Sequence, residues 1–379
     1  MSSTSPWRLA LRALDRARFY ANVPEVLTLL KFRKRRAAFY DGLWKLAAFN
    51  IGADYELMGN GFARISIDGV STVTKGYEVM LDSALMLKLM GDKAVTYGLM
   101  REAGAGVVRH QIFTARDLAP AREFLKDLGR AAVVKPSAGT GAGRGVTTGI
   151  RSVAELQRAA RYAARFGEEL LIEEQIEGHS YRLLFLNGKF IDAVRREAPQ
   201  LVGDGHNTIR QLVKAENYFR LNHDEATALS PLRFDLDMTE TLAKQGLTLK
   251  TRPARGQWFT IKTVVNENAA RENHLVRDLV HPTTIEQGRK LVGRLGIRFA
   301  GLDVICKDIS QPLGALNGIF GEINTTPGLH HHELVANPEK RVRIAELVLE
   351  HIFSSRDGAM AFGPARIGAL FRPPFLVRA

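Results

Sequence analysis

The run AAVVKPSAGTGAGRGV puts a lysine, Lys135, at the end of an apolar stretch and then spaces Gly139, Gly141, Gly143 and Gly145 through the next ten residues. With small Ala138 and Ala142 among them, such a loop lets backbone N–H groups close on an anion. The lysine just before it offers a fixed positive charge. Together they read as a clamp for a nucleoside triphosphate. Because the lysine precedes the glycines, the run is not a G-x-x-x-x-G-K-[ST] loop, so a different architecture must hold the nucleotide.

A chain of 379 residues with 45% apolar content can bury a full core, and its length suits two or three subdomains. Its single cysteine, Cys306, sits in an apolar run. This excludes a disulfide within the chain and a cysteine metal site, and it points to a reducing cytoplasm. No apolar stretch approaches the roughly 18 residues of a spanning helix, and the N-terminus lacks the apolar core of a signal peptide. The expectation is a cytoplasmic protein that no segment targets through a membrane.

The formal charge of +13 is unevenly placed. Residues 1–36 carry Arg8, Arg12, Arg16, Arg18, Lys31, Arg33, Lys34, Arg35 and Arg36 against Asp15 and Glu25, a net +7 (nine minus two). Trp7, Leu9, Leu11, Leu14, Phe19 and Tyr20 interleave with them. One reading is a basic amphipathic helix for an anionic membrane face or nucleic acid. The plainer and preferred one is a docked or oligomerising arm with a solvated basic face, without nucleic acid as partner.

Local signals alternate between helix and strand. Ser152 and Glu155 form a capping box ahead of an Ala-rich helix that Gly167 stops. A second box, Thr283 with Glu286, is expected to open a helix ending at Gly296. Asn337 and Pro338 are expected to start a last long helix running to about Phe353. Strands are expected at AAVV before Lys135, at LLIE (170–173), and at YRLLFL and KFIDAVRR around the Asn187-Gly188 turn. FAGLDVIC and GIFGEIN form another pair. Strand pairs with interspersed helices predict an α+β fold with antiparallel sheets.

Alternation in a strand puts Glu322 and Asn324 on one face. Asp303 lies in the preceding strand. An aspartate, a glutamate and an asparagine converging from paired strands are hard oxygen donors suited to Mg²⁺, although acidic residues alone are as consistent with an ordinary polar sheet face.

These stretches, in order, resemble the ATP-grasp superfamily, and within it the ATP-grasp part of cyanophycin synthetases, with glutathione synthetases and D-alanine ligases more distant. The likeness runs from about Lys75 to His332 through GDKAVTYGLMREAG, VVKPSAGTGAGRGVTT, LIEEQIEGHSYRLLFLNGKFIDAVRREAP, GDGHNTIRQLV, GLDVICKDIS and GEINTTPGL. It implies an ATP-grasp fold, two α+β subdomains enclosing the nucleotide under a mobile glycine-rich lid. The expected divisions are an N-terminal segment at 1–74, a small or lid subdomain at 75–172, a catalytic subdomain at 173–355 and a tail at 356–379.

On matching positions, the resemblance implies that Lys93 and Lys135 contact ATP phosphates, that Gly141, Gly143 and Gly145 form the lid, and that Glu173, Glu174 and Ile176 belong to a hinge beside adenine. Arg182 and one of Arg195 and Arg196, which alternation puts on opposite faces, would hold the substrate carboxylate and stabilise charge. Asp303, Glu322 and Asn324 would hold Mg²⁺, two ions being expected and Mn²⁺ being an alternative. Ser180 stands where relatives often carry an acidic residue near the ribose. His330, His331 and His332 are adjacent in an expected loop, where they suit solvent or substrate contacts better than a metal.

The implied reaction is an ATP-dependent ligation in which a carboxylate attacks the γ-phosphate and an amine displaces phosphate from the acyl phosphate. The phosphate loop of a second ligase domain is not present, so a single ligation is expected rather than polymerisation. A small-molecule kinase on the same scaffold and a nucleotide-regulated binding protein are the other classes carried forward. Expected partners are a small-molecule or peptide carboxylate and an amine, with a homo-oligomer admitted.

Overall fold

The computed structural model describes residues 23–141, 143–223 and 227–361. The basic and aromatic residues from Trp7 to Tyr20 and the tail beyond 361 therefore lie outside the described residues, as does Ala142 of the glycine-rich loop. Among the described residues, no helix is long and apolar enough to cross a membrane.

The described residues begin with the helix Val23–Asn50, then a meander of β1 (Asp54–Gly59), β2 (Phe62–Ile67) and β3 (Val70–Lys75), whose far edge pairs with a short strand at Met360–Ala361. A second sheet holds β4 (His110–Thr114), β5 (Ala132–Pro136), β6 (Thr147–Ile150) and β7 (Glu169–Glu174) in the order β4-β7-β5-β6. The third and central sheet joins β8 (His179–Leu186), β9 (Lys189–Arg196), β12 (Asn273–Leu275), β13 (Phe299–Cys306) and β14 (Gly318–Thr325) in the order β12-β9-β8-β13-β14. Between β9 and β12 lies a small two-stranded sheet of β10 (Gln200–Val202) and β11 (Trp258–Thr260). Every pairing is antiparallel, as the strand-pair pattern predicts.

The central sheet is buried on both faces, and period-2 alternation sorts its side chains. Tyr181, Leu183 and Phe185 of β8 join a core with Tyr97, Met100, Leu291 and Val292 from the helices Lys93–Glu102 and Pro282–Arg294. Leu184 and Leu186 join a core on the other face with Tyr40 and Trp44 of the first helix and with Val348 and Leu349 of the helix Ile344–Ser355. The second sheet is covered on one face by the helices Ala119–Leu128 and Val153–Ala163, which enclose Val134, Leu170 and Ile172.

Local chemistry sets the element boundaries. The Ser152–Glu155 capping box is present in both directions. The helix expected from Thr283 starts instead at Pro282, because His281 supplies the cap by accepting the Thr283 N–H at 3.1 Å and proline suits the first helical position. The last long helix does not begin at Asn337-Pro338. Asn337 is occupied in bonding both the N–H and the carbonyl of Leu275, at 2.9 and 3.0 Å, and Pro338–Lys340 forms only a 3₁₀ turn before the helix starts at Ile344. The histidine run is not a loop: His330–Glu333 is a helical turn with all three histidines buried. Over its described part, the basic segment expected as a docked or oligomerising arm opens a helix that buries Phe32 and, beyond residue 36, Tyr40 and Trp44.

Candidate functional site

The charged residues of the site come from one face of the central sheet. In β8, Ser180 and Arg182 lie on the same face as Leu184 and Leu186, so the face that is apolar core at one end becomes polar at the other. Cross-strand register sets Ser180 opposite Arg196 and Arg182 opposite Asp303, and sets Asp303 opposite Glu322. Five residues more than a hundred positions apart at the extremes thus share one patch.

Arg182 holds Asp303 in a two-pronged bond, Nε to Oδ1 at 2.7 Å and the terminal nitrogen to Oδ2 at 2.9 Å. Arg196 adds a contact to Oδ1 at 3.2 Å and donates to the Ser180 hydroxyl at 3.0 Å. Burial would push the Asp303 carboxyl up, but the charges of Arg182 and Arg196 outweigh it and hold the pKa below the usual carboxylate value. Burial lowers Arg196 to about 10, against the pull of Asp303. Gly301 makes room for this arrangement, since a Cβ there would stand 2.9 Å from Pro327 and 3.3 Å from Arg182.

The second sheet contributes from its other face, the one that packs Leu171 against Tyr97 and Met100. Lys135 of β5 and Glu173 of β7 share that face and meet at 2.8 Å. Lys135 also reaches the Tyr97 hydroxyl at 3.1 Å and Glu322 at 3.2 Å, and Tyr97 donates to Glu173 at 2.8 Å. Burial alone would lower the lysine, but Glu173, Tyr97 and Glu322 raise its pKa well above the ordinary value. Glu322 is pushed up by burial and pulled down further by Lys135 and Lys93, to about 2. Both ends of the contact are therefore charged at neutral pH.

The glycine-rich loop folds back over this corner. Gly143 has a φ of 68° and lies so close to the segment after β11 that a Cβ would fall 2.2 Å from Val264. Thr148 and Thr263 bond across the same gap at 2.7 Å. The backbone N–H of Lys93, first residue of its helix, donates to the Ser137 carbonyl at 2.9 Å, which ties that lysine to the strand leading into the loop.

All of this opens into one cleft of about 3280 Å³, well above the roughly 300–1,000 Å³ of an ordinary small-molecule site. Of the sequence-predicted residues, Lys93, Lys135, Gly141, Gly143, Glu173, Glu174, Ile176, Arg182, Arg196, Asp303, Glu322 and Asn324 line it. Gly145 does not; it packs where a Cβ would strike Phe166 and Pro136. Arg195 does not either, being paired with Glu197 at 2.8 Å on the opposite face of β9. Glu173 and Glu174 are buried in a strand and tied to Lys135 and Arg130, so of the predicted hinge only Gln175 and Ile176 follow the strand.

Sequence reasoning missed Tyr97, whose only signal was its place four residues after Lys93 on one helix. It also missed the histidine contacts. His330 Nδ1 lies 2.7 Å from the Tyr40 hydroxyl and His332 Nδ1 lies 2.8 Å from Asp192. Burial, then the charges of Arg36 and Arg182, holds His330 well below its ordinary pKa, and burial with His330 does the same to His331.

Among the described residues, no three His, Cys, Asp or Glu side chains are grouped to hold a metal. The remaining donor set is Asp303, Glu322 and Asn324, two ionised carboxylates and a carboxamide, which suits a hard cation that retains waters and phosphate oxygens. Asn324 Nδ2 is buried without a hydrogen-bond partner, as a site built for a further polar group would leave it.

No family model matches the chain. It is 28% identical over 271 residues to cyanophycin synthetase of Trichormus variabilis, covering 71% of this chain and 30% of that protein. It is 26% identical over 306 residues to the glutathione biosynthesis bifunctional protein of Mannheimia succiniciproducens, covering 78% and 39%. The crystal structure of a bifunctional glutathione synthetase from Pasteurella multocida superposes with a TM-score of 0.52 at 21% identity, over 83% of this chain and 43% of that one. The chain thus spans well under half the length of these relatives. Its fold is that of the ATP-grasp proteins, in α+β form.

Proposed function

We propose that this ATP-grasp chain is an ATP-dependent ligase that joins a carboxylate to an amine, releasing ADP and phosphate. The observation that carries the reading is the convergence of Lys135, Glu322, Asp303, Arg182 and Arg196 in one cleft beneath a glycine-rich loop. Similarity to cyanophycin synthetase and to a glutathione biosynthesis protein supports it.

In this reading Lys93 and Lys135 meet the phosphates of ATP, and the loop N–H groups around Gly141 and Gly143 close on them. Arg182 and Arg196 orient the substrate carboxylate for in-line attack on the γ-phosphorus. The new bond joins carboxylate oxygen to phosphorus and ADP leaves. The amine then attacks the acyl carbon, phosphate departs and the ammonium proton goes to solvent. Catalysis comes from positioning and from fixed charge, with closure of the glycine-rich loop keeping water from the acyl phosphate. Asp303, Glu322 and Asn324 would hold Mg²⁺, two ions being proposed with Mn²⁺ as substitute, which when bound supplies neutralisation of phosphate charge. ATP consumption and a lone buried thiol, Cys306, suit the cytoplasm.

The test is product analysis with pooled acids and amines. ADP and phosphate should form only when both are supplied. AMP with pyrophosphate would overturn the acyl-phosphate route, and a stable phosphorylated product made without amine would assign the chain as a kinase.

A further inference from the structure

The helix Val23–Asn50 forms one wall of the cleft through Lys31, Phe32, Arg33 and Arg36, with Arg36 one turn beyond Phe32 and Arg33. Arg36 is the most constrained of these. Its guanidinium carbon lies 5.9, 5.9 and 5.3 Å from the ring centres of Phe32, Tyr40 and Tyr77. Tyr40 in turn is bonded to His330, so the aromatic cage is fixed to the turn that follows β14 and its Glu322 and Asn324. The guanidinium is thereby held in place at the edge of the site.

Counter-charge separates Arg36 from its neighbours. Asp303 is paired with both Arg182 and Arg196, whereas no carboxylate among the described residues pairs with Arg36. Aromatic faces attract the cation but leave the planar fork of N–H donors unfilled by an acceptor of opposite charge. A half-buried, immobilised guanidinium without an acid, facing a cleft, is a ready receptor for an anion supplied from outside. Burial first, and then the charge of Arg36, holds the neighbouring His330 below its ordinary pKa.

We infer that Arg36 binds a second negatively charged group on the acid substrate, leaving Arg182 and Arg196 to the carboxylate that reacts. The inference rests on the ligase reading, and it makes the first helix a specificity element. The preferred acid is then a dicarboxylic unit, free or at the end of a peptide.

The experiment compares N-acetyl-L-glutamate with N-acetyl-L-glutamine, and the corresponding aspartate and asparagine pair. The members of each pair differ in one charge, and their blocked amines confine them to the acid role. Binding is measured by calorimetry with Mg²⁺ and a non-hydrolysable ATP analogue, and acid-dependent ADP release with an amine pool. The wild type should prefer the diacid by about 10- to 100-fold. Arg36→Gln should erase that preference, Arg36→Lys should restore part of it, and affinity for the ATP analogue should stay within a few-fold in both. Absence of a diacid preference in the wild type, or its survival in Arg36→Gln, overturns the inference. A diacid preference in binding without any acid-dependent ADP release overturns the ligase reading and leaves the Arg36 assignment standing.

Discussion

Lys135 Nζ lies 3.2 Å from Glu322 Oε1, across 187 positions of the chain. Lys135 belongs to the sheet that carries the glycine-rich loop and Glu322 to the central sheet, so this contact links the two sheets by charge. It also links the predicted phosphate contact to the predicted metal ligand. A change in either residue should therefore register in both nucleotide binding and stability.

Lys135→Met removes the cation shared by Glu173 and Glu322. Breaking a buried pair from one side costs about 3–5 kcal/mol. The lower end is expected here because 37% of the Glu322 side chain is exposed and water screens it. The pH dependence has a definite sign. Glu322 is held at about 2, below its ordinary value, so its contribution is present above the ordinary carboxylate range and disappears as pH falls through about 2. The variant should unfold in acid at a higher pH than the wild type and should bind ATP weakly. Urea melts at neutral pH and an acid titration check this; wild-type acid resistance would reject the role given to the lysine.

Glu322→Gln keeps the side-chain volume and deletes the charge. Turnover should fall by at least about 10²-fold and the gain in nucleotide affinity on adding Mg²⁺ should shrink, while the circular dichroism spectrum stays that of the wild type. Near-normal activity would reject Glu322 as a metal ligand.

Glu333 gives a stability signature away from catalysis. Burial raises its pKa to about 7, against the charge of Arg341 at 3.8 Å. A carboxyl whose folded pKa lies above the unfolded value binds extra protons in the folded state, so stability declines as pH rises from about 4.5 to 7 and is flat beyond. At about 1.4 kcal/mol per unit, the decline approaches about 3 kcal/mol. Glu333→Gln should match the wild type at pH 4 and exceed it at pH 8 in thermal melts. Parallel melting curves across that range would contradict the burial effect.

What the sequence shows depends on how local the cause is. The Ser152 box, the Asn187-Gly188 hairpin and the β13–β14 pair are written in neighbouring residues and appear as expected. Glu322 is marked by alternation, Asp303 by its place in the preceding strand and Arg182 by the resemblance of the motifs around it. The meander of β1 to β3 and the short sheet of β10 and β11 carry weaker alternation and were not anticipated. Tyr97 is marked only by its place four residues after Lys93 and Arg36 only by the basic segment it belongs to, because each acquires its role from a partner chosen by packing: Glu173 for one, an aromatic cage for the other. The Asn337 cap fails for the same reason, since Leu275, 62 positions away, claims its side chain.

The two arginines that end β9 offer the sharpest comparison, because they are adjacent and differ only in the face they occupy. Arg196 is buried, faces the cleft and contacts Asp303 and Ser180, while Arg195 is partly exposed and paired with Glu197. Arg196→Ala should lower kcat by about 10²- to 10³-fold, as loss of a fixed charge at a reacting group does. Removing Arg196 leaves Asp303 with Arg182, so the fold should survive. Arg195→Ala removes a surface ion pair and should change kcat by no more than a few-fold. Steady-state kinetics on both variants, with thermal melts to verify folding, read the comparison directly. Equal losses in the two variants would show that the face of β9 does not decide which arginine acts, and would withdraw Arg196 from the site.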